Sequence, residues 1–321
     1  MKIVVTRAID EARLSPLEGH HLVVWPHQTQ MPHDELVAEL SGATGVVSHL
    51  TDRLDRETIV SAGDLRAVSQ VAVGVDNIDL GVCTERRIPV GHTPDVLTET
   101  TADTAWALLA SAVRRIPEGR DHVLAGAWGP WRPDLLLGGD LHDTTLGVVG
   151  LGRIGAAVAR RAAGFAMKVL YAGPRRKPHL EAELRASYRP LENLVREADH
   201  IVVTVPLSES TRGLIGTPEL EAMKPDATLV NVSRGPVVDT TALTEALDRG
   251  LLAGVALDVT DPEPLPADHP LLGHPNCLVI PHLGSASRRT RAAMVDLAIS
   301  NMAEALGGRR MPACANPEVY G

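Results

Sequence analysis

Aromatic side chains are nearly missing from this chain. Only 4 Trp, 3 Tyr and 1 Phe occur among 321 residues, so Val, Leu, Ile and Ala must fill the core. Cysteine is scarce as well. Cys83, Cys277 and Cys314 are odd in number and widely spaced, which excludes a disulfide scaffold and reads as reduced thiols in a cytoplasmic protein. No apolar run approaches the ~20 residues that span a bilayer. The N-terminal MKIVVTRAIDEARL is too short and too polar for a signal peptide. Positive charge is in deficit: 31 basic against 40 acidic side chains give a formal charge of -9. That balance argues against nucleic acid or an anionic membrane as a partner.

What the chain does have is alternation. Short β-branched runs at 2–5, 22–25, 46–48, 67–71 and 88–90 alternate with helical patterns at 33–41, 55–62 and 79–87. A long helical pattern follows over 98–115, and Pro117 with AGAWGPWRPDLLLGGD then breaks regularity up to about Asp140. A second series of strands is expected at 145–149, 168–171, 200–204, 228–231, 254–257 and 278–280, with a last helix over 287–305. Strand–helix alternation predicts an α/β protein with two doubly wound parallel sheets, Rossmann-like in each half.

The run LGVVGLGRIGAAVARRAA contains Gly150-x-Gly152-x-x-Gly155 between a β-branched strand and an Ala-rich helix. In that context Gly150 permits the tight turn, Gly152 lets a pyrophosphate approach the backbone, and Gly155 allows close helix–strand packing. The helix N-terminus presents N–H groups and a positive dipole end to the phosphates. A nicotinamide dinucleotide is the cofactor this pattern fits. NAD sites usually carry Asp or Glu about 20 residues on, bonded to the ribose 2′-OH. Here the second strand continues as AGPRRKPH, with no carboxylate between Tyr171 and Leu180. Arg175 and Arg176 stand there instead, which suits the 2′-phosphate of NADP(H) and leaves NAD(H) as the weaker partner.

Three further runs end on ionisable residues just past a predicted strand: NVSRGP at Arg234, LDVTDPEP at Glu263 and IPHLGSA at His282. Taken singly, a loop arginine is a surface charge, a glutamate between prolines is solvated, and a histidine after a strand bonds a backbone carbonyl. Consecutive strand ends of one parallel sheet meet at one crevice, which changes the reading. Arg234 can hold a carboxylate and polarise a carbonyl, His282 can donate a proton, and Glu263 can orient the imidazole and favour its charged form. Asp258 can support the same network or the cofactor. A metal centre fits less well, because His269, His274, Cys277 and His282 match no common zinc spacing; no metal is expected.

GLGRIG, NVSRGPVVD, LDVTDPEPLP and IPHLGSAS resemble the D-isomer-specific 2-hydroxyacid dehydrogenase family, and the likeness extends to VAVGVDNIDL and GHTPDVLTETTADTAWALL. HTPDVLTETTAD, WGPWRP and VLYAGPRRKP place it nearest the glyoxylate/hydroxypyruvate reductase branch. The resemblance implies a flavodoxin-like substrate domain from residues 1–97 and 286–321, and a dinucleotide-binding domain over 98–285. It implies catalytic Arg234, Glu263 and His282. On the substrate side it implies Leu50, Ser285 and the turn Val73-Gly74, whose N–H groups would hold the carboxylate. It implies that Arg153 and Ile154 meet the pyrophosphate together with Gly152. Val232, Arg234, Asp258 and Gly284 are implied on the nicotinamide side, and Pro206 among the cofactor contacts. Trp131 falls where the branch has a Trp that reaches the partner subunit's pocket, so a homodimer is expected; an ordinary interface aromatic is the plainer alternative. The chain departs from the branch at Pro174, which displaces Arg175 and Arg176 by one position.

The expected reaction is reduction of glyoxylate or hydroxypyruvate to glycolate or D-glycerate. Two alternatives stay open. One is another D-2-hydroxyacid dehydrogenase, such as a 3-phosphoglycerate enzyme, many of which carry extra C-terminal domains that do not follow Gly321 here. The other is a non-catalytic nucleotide sensor similar to the corepressors that share this fold.

Overall fold

The computed structural model describes residues 1–321. They divide into two compact units, one made of 1–97 with 287–321 and the other of 98–286. The first unit holds the strands β1 (Lys2–Val5), β2 (His21–Val24), β3 (Gly45–Ser48), β4 (Ala67–Gln70) and β5 (Val90–Gly91). They pair in parallel in the order β2-β1-β3-β4-β5. The second unit holds β6 (Thr145–Val149), β7 (Lys168–Ala172), β8 (Ala186–Tyr188), β9 (His200–Val203), β10 (Thr228–Asn231), β11 (Gly254–Leu257) and β12 (Cys277–Val279). These are also parallel, ordered β12-β11-β10-β9-β6-β7-β8.

Both sheets are cored as the composition requires. A parallel strand covered on both faces reads as a continuous apolar run rather than an alternating one. Ile201, Val202 and Val203 of β9 are all fully buried, as are Leu229 and Val230 of β10. The helix Arg153–Ala162 presents Ala156, Ala157, Val158, Ala159 and Ala162 to the core, small residues that let it lie close on the sheet. Each sheet has one point where the strand order reverses, between β1 and β3 and between β6 and β9. Crevices outside the carboxyl ends of such strands are where α/β proteins place their ligands.

Elements outside the expected pattern include the single-turn helix Glu11–Leu14, the helix Ile116–Leu124 and the strand β8. The helix Ile116–Leu124 lies in the segment expected to be irregular from Pro117 onward. Pro117 occupies its first turn, where a missing N–H costs no hydrogen bond, so this proline opens a helix instead of breaking one. The strand β8 has no counterpart among the expected strands. As a short edge strand it carries one ladder and no long apolar run; Tyr188 anchors it edge-on against Tyr171, ring centroids 5.5 Å apart.

Candidate active site

The register of three neighbouring strands aligns the ionisable residues of the second unit. Asn231 of β10 pairs with Leu257 of β11, and Leu257 pairs with Val279 of β12. Three positions past each lie Arg234, Thr260 and His282. Adjacent strands are ~4.8 Å apart, so the flanking strand ends that carry Arg234 and His282 are separated by roughly 10 Å, within reach of a long arginine side chain.

Close backbone approach holds these loops together. A Cβ on Gly235 would fall 1.9 Å from the Thr260 carbonyl oxygen, so only glycine lets the turn after Arg234 lie against the loop that leads to Glu263. Asn231 ties the turn from within. Its Nδ2 donates to the Arg234 carbonyl at 3.0 Å, and its Oδ1 accepts from the Ser233 N–H at 3.0 Å. The Arg234 side chain is half-buried, with Nη1 donating to the Ser233 carbonyl at 2.9 Å.

His282 and Glu263 meet directly: Nδ1 lies 2.6 Å from Glu263 Oε1. A carboxylate can only accept here, so Nδ1 carries a proton. The backbone of His282 has φ 52°, a left-handed conformation that is costly for a residue with a Cβ. Asp258 supports it. The His282 N–H donates to the Asp258 carbonyl at 2.9 Å, and the Asp258 carboxylate accepts from the N–H groups of Leu283 and Gly284. Burial pushes the Asp258 carboxyl group up from its ordinary range, opposed by the Leu283 N–H and the His282 charge. Asp258 is thus a backbone anchor for the histidine turn. Gly284 completes the turn, since a Cβ there would fall 2.8 Å from Asp258 Oδ2.

The glycine loop shows three separate constraints. Gly150 adopts φ +100°, and a Cβ on it would lie 2.7 Å from Val205 Cγ1. A Cβ on Gly155 would fall 2.1 Å from the Gly150 carbonyl oxygen, so the helix can approach the strand only with glycine there. A Cβ on Gly152 would meet nothing within 4 Å, which leaves open space beside the first turn of the helix Arg153–Ala162. An open face at a helix N-terminus is what a pyrophosphate requires. Pro206 is exposed just after β9, and Val232 is buried just after β10.

The basic cluster is less simple than its sequence. Arg175 is exposed, whereas Arg176 is engaged with Glu181 on the following helix, Nη2 to Oε2 at 2.6 Å. The Tyr171 hydroxyl also donates to Glu181, at 2.6 Å. Hydrogen bonds from Arg176 and Tyr171 hold the Glu181 carboxyl at about 2, below its usual range. Lys177 Nζ donates to the Leu151 carbonyl at 2.8 Å, tying the cluster to the glycine loop. Glu181 is a carboxylate that sequence reasoning misses. It lies one residue past Leu180 and returns to the cluster only when the helix Pro178–Leu184 folds back.

Leu50, Val73 and Gly74 lie in the first unit, after β3 and β4, all half-buried. Ser285 is half-buried next to Gly284, and Trp131 is 85% exposed. His269 and His274 each use Nδ1 on a nearby backbone N–H, of Leu271 at 3.3 Å and Asn276 at 3.2 Å.

A glycine loop at the reversal of a parallel sheet, with a paired His–Glu and an arginine on neighbouring strand ends, is one arrangement of known families. Residues 106–284 match the NAD-binding domain model of the D-isomer specific 2-hydroxyacid dehydrogenases. The chain belongs to this family. It is 45% identical to a glyoxylate reductase of Korarchaeum cryptofilum, over 99% of this chain and 96% of that protein. Among solved structures it is similar to a Thermus thermophilus protein, with 44% identity, a TM-score of 0.92, and 98% and 100% of the two chains covered. It is also similar to an NADPH-dependent glyoxylate/hydroxypyruvate reductase of Sinorhizobium meliloti solved with NADP and malonate, at 32% identity and TM-score 0.86 over 99% and 97% of the chains. As a D-2-hydroxyacid dehydrogenase it has the two parallel-sheet α/β units of its relatives, and no helix in it is long and apolar enough to cross a membrane.

Proposed function

We propose that this dehydrogenase reduces glyoxylate or hydroxypyruvate, taking a hydride from a nicotinamide cofactor and a proton from His282. The observation that carries this reading is the 2.6 Å pair of His282 Nδ1 with Glu263 Oε1, set by strand register on the same sheet edge as Arg234. When bound, the cofactor supplies the hydride to C2 of the 2-oxo acid. Gly150, Gly152, Arg153, Ile154 and Gly155 would hold its pyrophosphate, with Val232, Asp258 and Gly284 beside the nicotinamide and Pro206 among the cofactor contacts.

The residues of the chain do the rest. Arg234 holds the substrate carboxylate and stabilises charge on the carbonyl oxygen as it becomes an alkoxide. His282 delivers a proton from Nε2 to that oxygen. Glu263 keeps the ring oriented and stabilises its positive charge before transfer. The Val73-Gly74 turn offers N–H groups to the carboxylate, and Leu50 and Ser285 shape the substrate pocket. Names of relatives support this substrate class, since those at 40–45% identity over nearly the full length are called glyoxylate reductases.

NADP(H) is the proposed preferred cofactor, with Arg175 as its principal 2′-phosphate contact. Arg176 contributes to the extent that it leaves Glu181. The segment after the helix Ile116–Leu124 exposes Trp128 and Trp131, alongside exposed Ile116, Val123, Leu124 and Leu137. That much exposed apolar surface fits a homodimer interface, with Trp131 reaching the partner's pocket. Three free cysteines fit the cytoplasm. The test is oxidation of NADPH and NADH against glyoxylate, hydroxypyruvate, pyruvate and 3-phosphohydroxypyruvate. Turnover confined to 3-phosphohydroxypyruvate, or cofactor binding without turnover on any of the four, would overturn the proposal.

A further inference from the structure

The turn after β4 is held by its carbonyls. The Thr93 N–H donates to the Ala72 carbonyl at 2.8 Å. His92 Nδ1 lies 3.0 Å from the Val73 carbonyl. Gln70 Nε2 donates to the Gly74 carbonyl at 3.1 Å. A carbonyl oxygen can only accept, so the second contact requires the proton of His92 on Nδ1.

The peptide geometry gives these three bonds a joint consequence. In a trans peptide the N–H points away from the preceding carbonyl. Holding the carbonyls of Ala72, Val73 and Gly74 therefore fixes the N–H groups of Val73, Gly74 and Val75, each pointing away from the group that its preceding carbonyl bonds. None of these three N–H groups donates to another group of the chain, and all three residues are half-buried. Successive unpaired N–H groups in a turn can form a binding site for an anionic oxygen pair.

Gln70 is itself locked. It is fully buried, and its Oε1 accepts from the Ser48 hydroxyl at 2.8 Å. The Gly74 carbonyl can only accept, so the NH2 end of the amide must face it, and the Ser48 hydroxyl therefore donates to the oxygen end. The NH2 end also bonds Asn77 Oδ1, and Asn77 Nδ2 donates to the carbonyls of His49 at 3.1 Å and Asp52 at 2.7 Å. The loops after β3 and β4 thus share one polar network behind the turn, while the loop after β5 holds the turn separately through His92 and Thr93.

We propose that His92 and Gln70 are positioning residues that aim the N–H groups of the 73–75 turn at the substrate carboxylate. This rests on the proposed reading that the turn binds the carboxylate of a 2-oxo acid. Neither residue touches the substrate; each acts by fixing a peptide plane. A merely structural role would move the stability of the protein and leave carboxylate affinity alone.

The experiment compares the parent with His92→Leu, His92→Asn and Gln70→Glu. Four quantities are read: kcat and KM for glyoxylate, the inhibition constant of oxalate, the Kd of NADPH, and Tm. His92→Leu should raise KM and the oxalate constant together by roughly 10-fold or more, with kcat and the NADPH Kd changed by less than about 3-fold. In His92→Asn the side-chain amide N–H can replace Nδ1–H, so both constants should return towards the parent values. Gln70→Glu keeps the size but removes the donor to Gly74, and should act like His92→Leu. It also serves as the second test if His92→Leu does not fold. Unchanged KM and oxalate affinity in a folded variant would overturn the proposal, as would an equal loss of NADPH affinity. A parent protein that neither reduces a 2-oxo acid nor binds oxalate would instead overturn the reading of the site.

Discussion

His282 Nδ1 and Glu263 Oε1 are 2.6 Å apart, although the residues are 19 positions apart and sit on different loops. The pair gives Nδ1 a fixed acceptor. Replacing His282 with Ala should lower kcat by ~10²–10⁴-fold, the usual contribution of a general acid, with little change in cofactor affinity. Steady-state kinetics together with NADPH titration checks this, and near-parent turnover would remove the histidine from its role.

Glu263→Gln keeps the hydrogen-bond geometry but removes the negative charge beside the imidazole. With that charge gone the ring is a poorer proton donor, so kcat for glyoxylate should fall roughly 10-fold or more while the NADPH Kd stays within about 3-fold of the parent value. Steady-state kinetics that match the parent's would count against the pair.

Gly235→Ala tests how Arg234 is placed. The added Cβ would fall 1.9 Å from the Thr260 carbonyl oxygen, so backbone has to move. Overpacking of this kind costs about 1–3 kcal/mol. A lowered Tm accompanied by a raised KM for glyoxylate is expected. A Tm drop with unchanged kinetics would show that the approach of the two loops serves the fold alone.

Glu181→Gln addresses the cofactor. Loss of the carboxylate charge loosens Arg176 from its partner and leaves both arginines available to a 2′-phosphate. The ratio of kcat/KM for NADPH over NADH should rise roughly 2- to 5-fold, the scale of an exposed ion pair. A ratio that falls would mean that Glu181 orients Arg176 for the phosphate instead of competing for it.

His49 predicts a pH dependence of stability. Burial pushes its imidazole down to about 4 from the usual 6.5, partly opposed by Asp52 and reinforced by Arg7. The folded value is the depressed one, so the unfolded chain binds the proton first as pH falls. Stability from the neutral ring is present above about 6.5 and is lost as pH drops through about 4. Denaturant unfolding of His49→Leu should lose the part of that slope due to His49, while the parent keeps it.

Strand positions were legible because parallel strands buried on both faces leave runs such as VVTV and TLVNV in the chain. The glycine spacing was legible because Gly150 and Gly155 answer local steric demands between strand and helix. The strand β8 escaped because an edge strand needs little apolar length. The helix Ile116–Leu124 escaped because Pro117 marks both a helix stop and a helix start, and the sequence does not distinguish them.

By itself the sequence determined the alternation, the reduced and nearly aromatic-free core, and which residue types end the strands. Those are local properties, set by side-chain volume, backbone freedom and periodicity. Only the tertiary structure decided which of these residues meet. It joined His282 to Glu263, put Asp258 under the histidine turn, tied Arg176 to Glu181 and gave His92 the carbonyl of Val73. The physical reason is that hydrogen bonds act over about 3 Å, and closures between distant loops depend on strand order and register, which no short run of residues encodes.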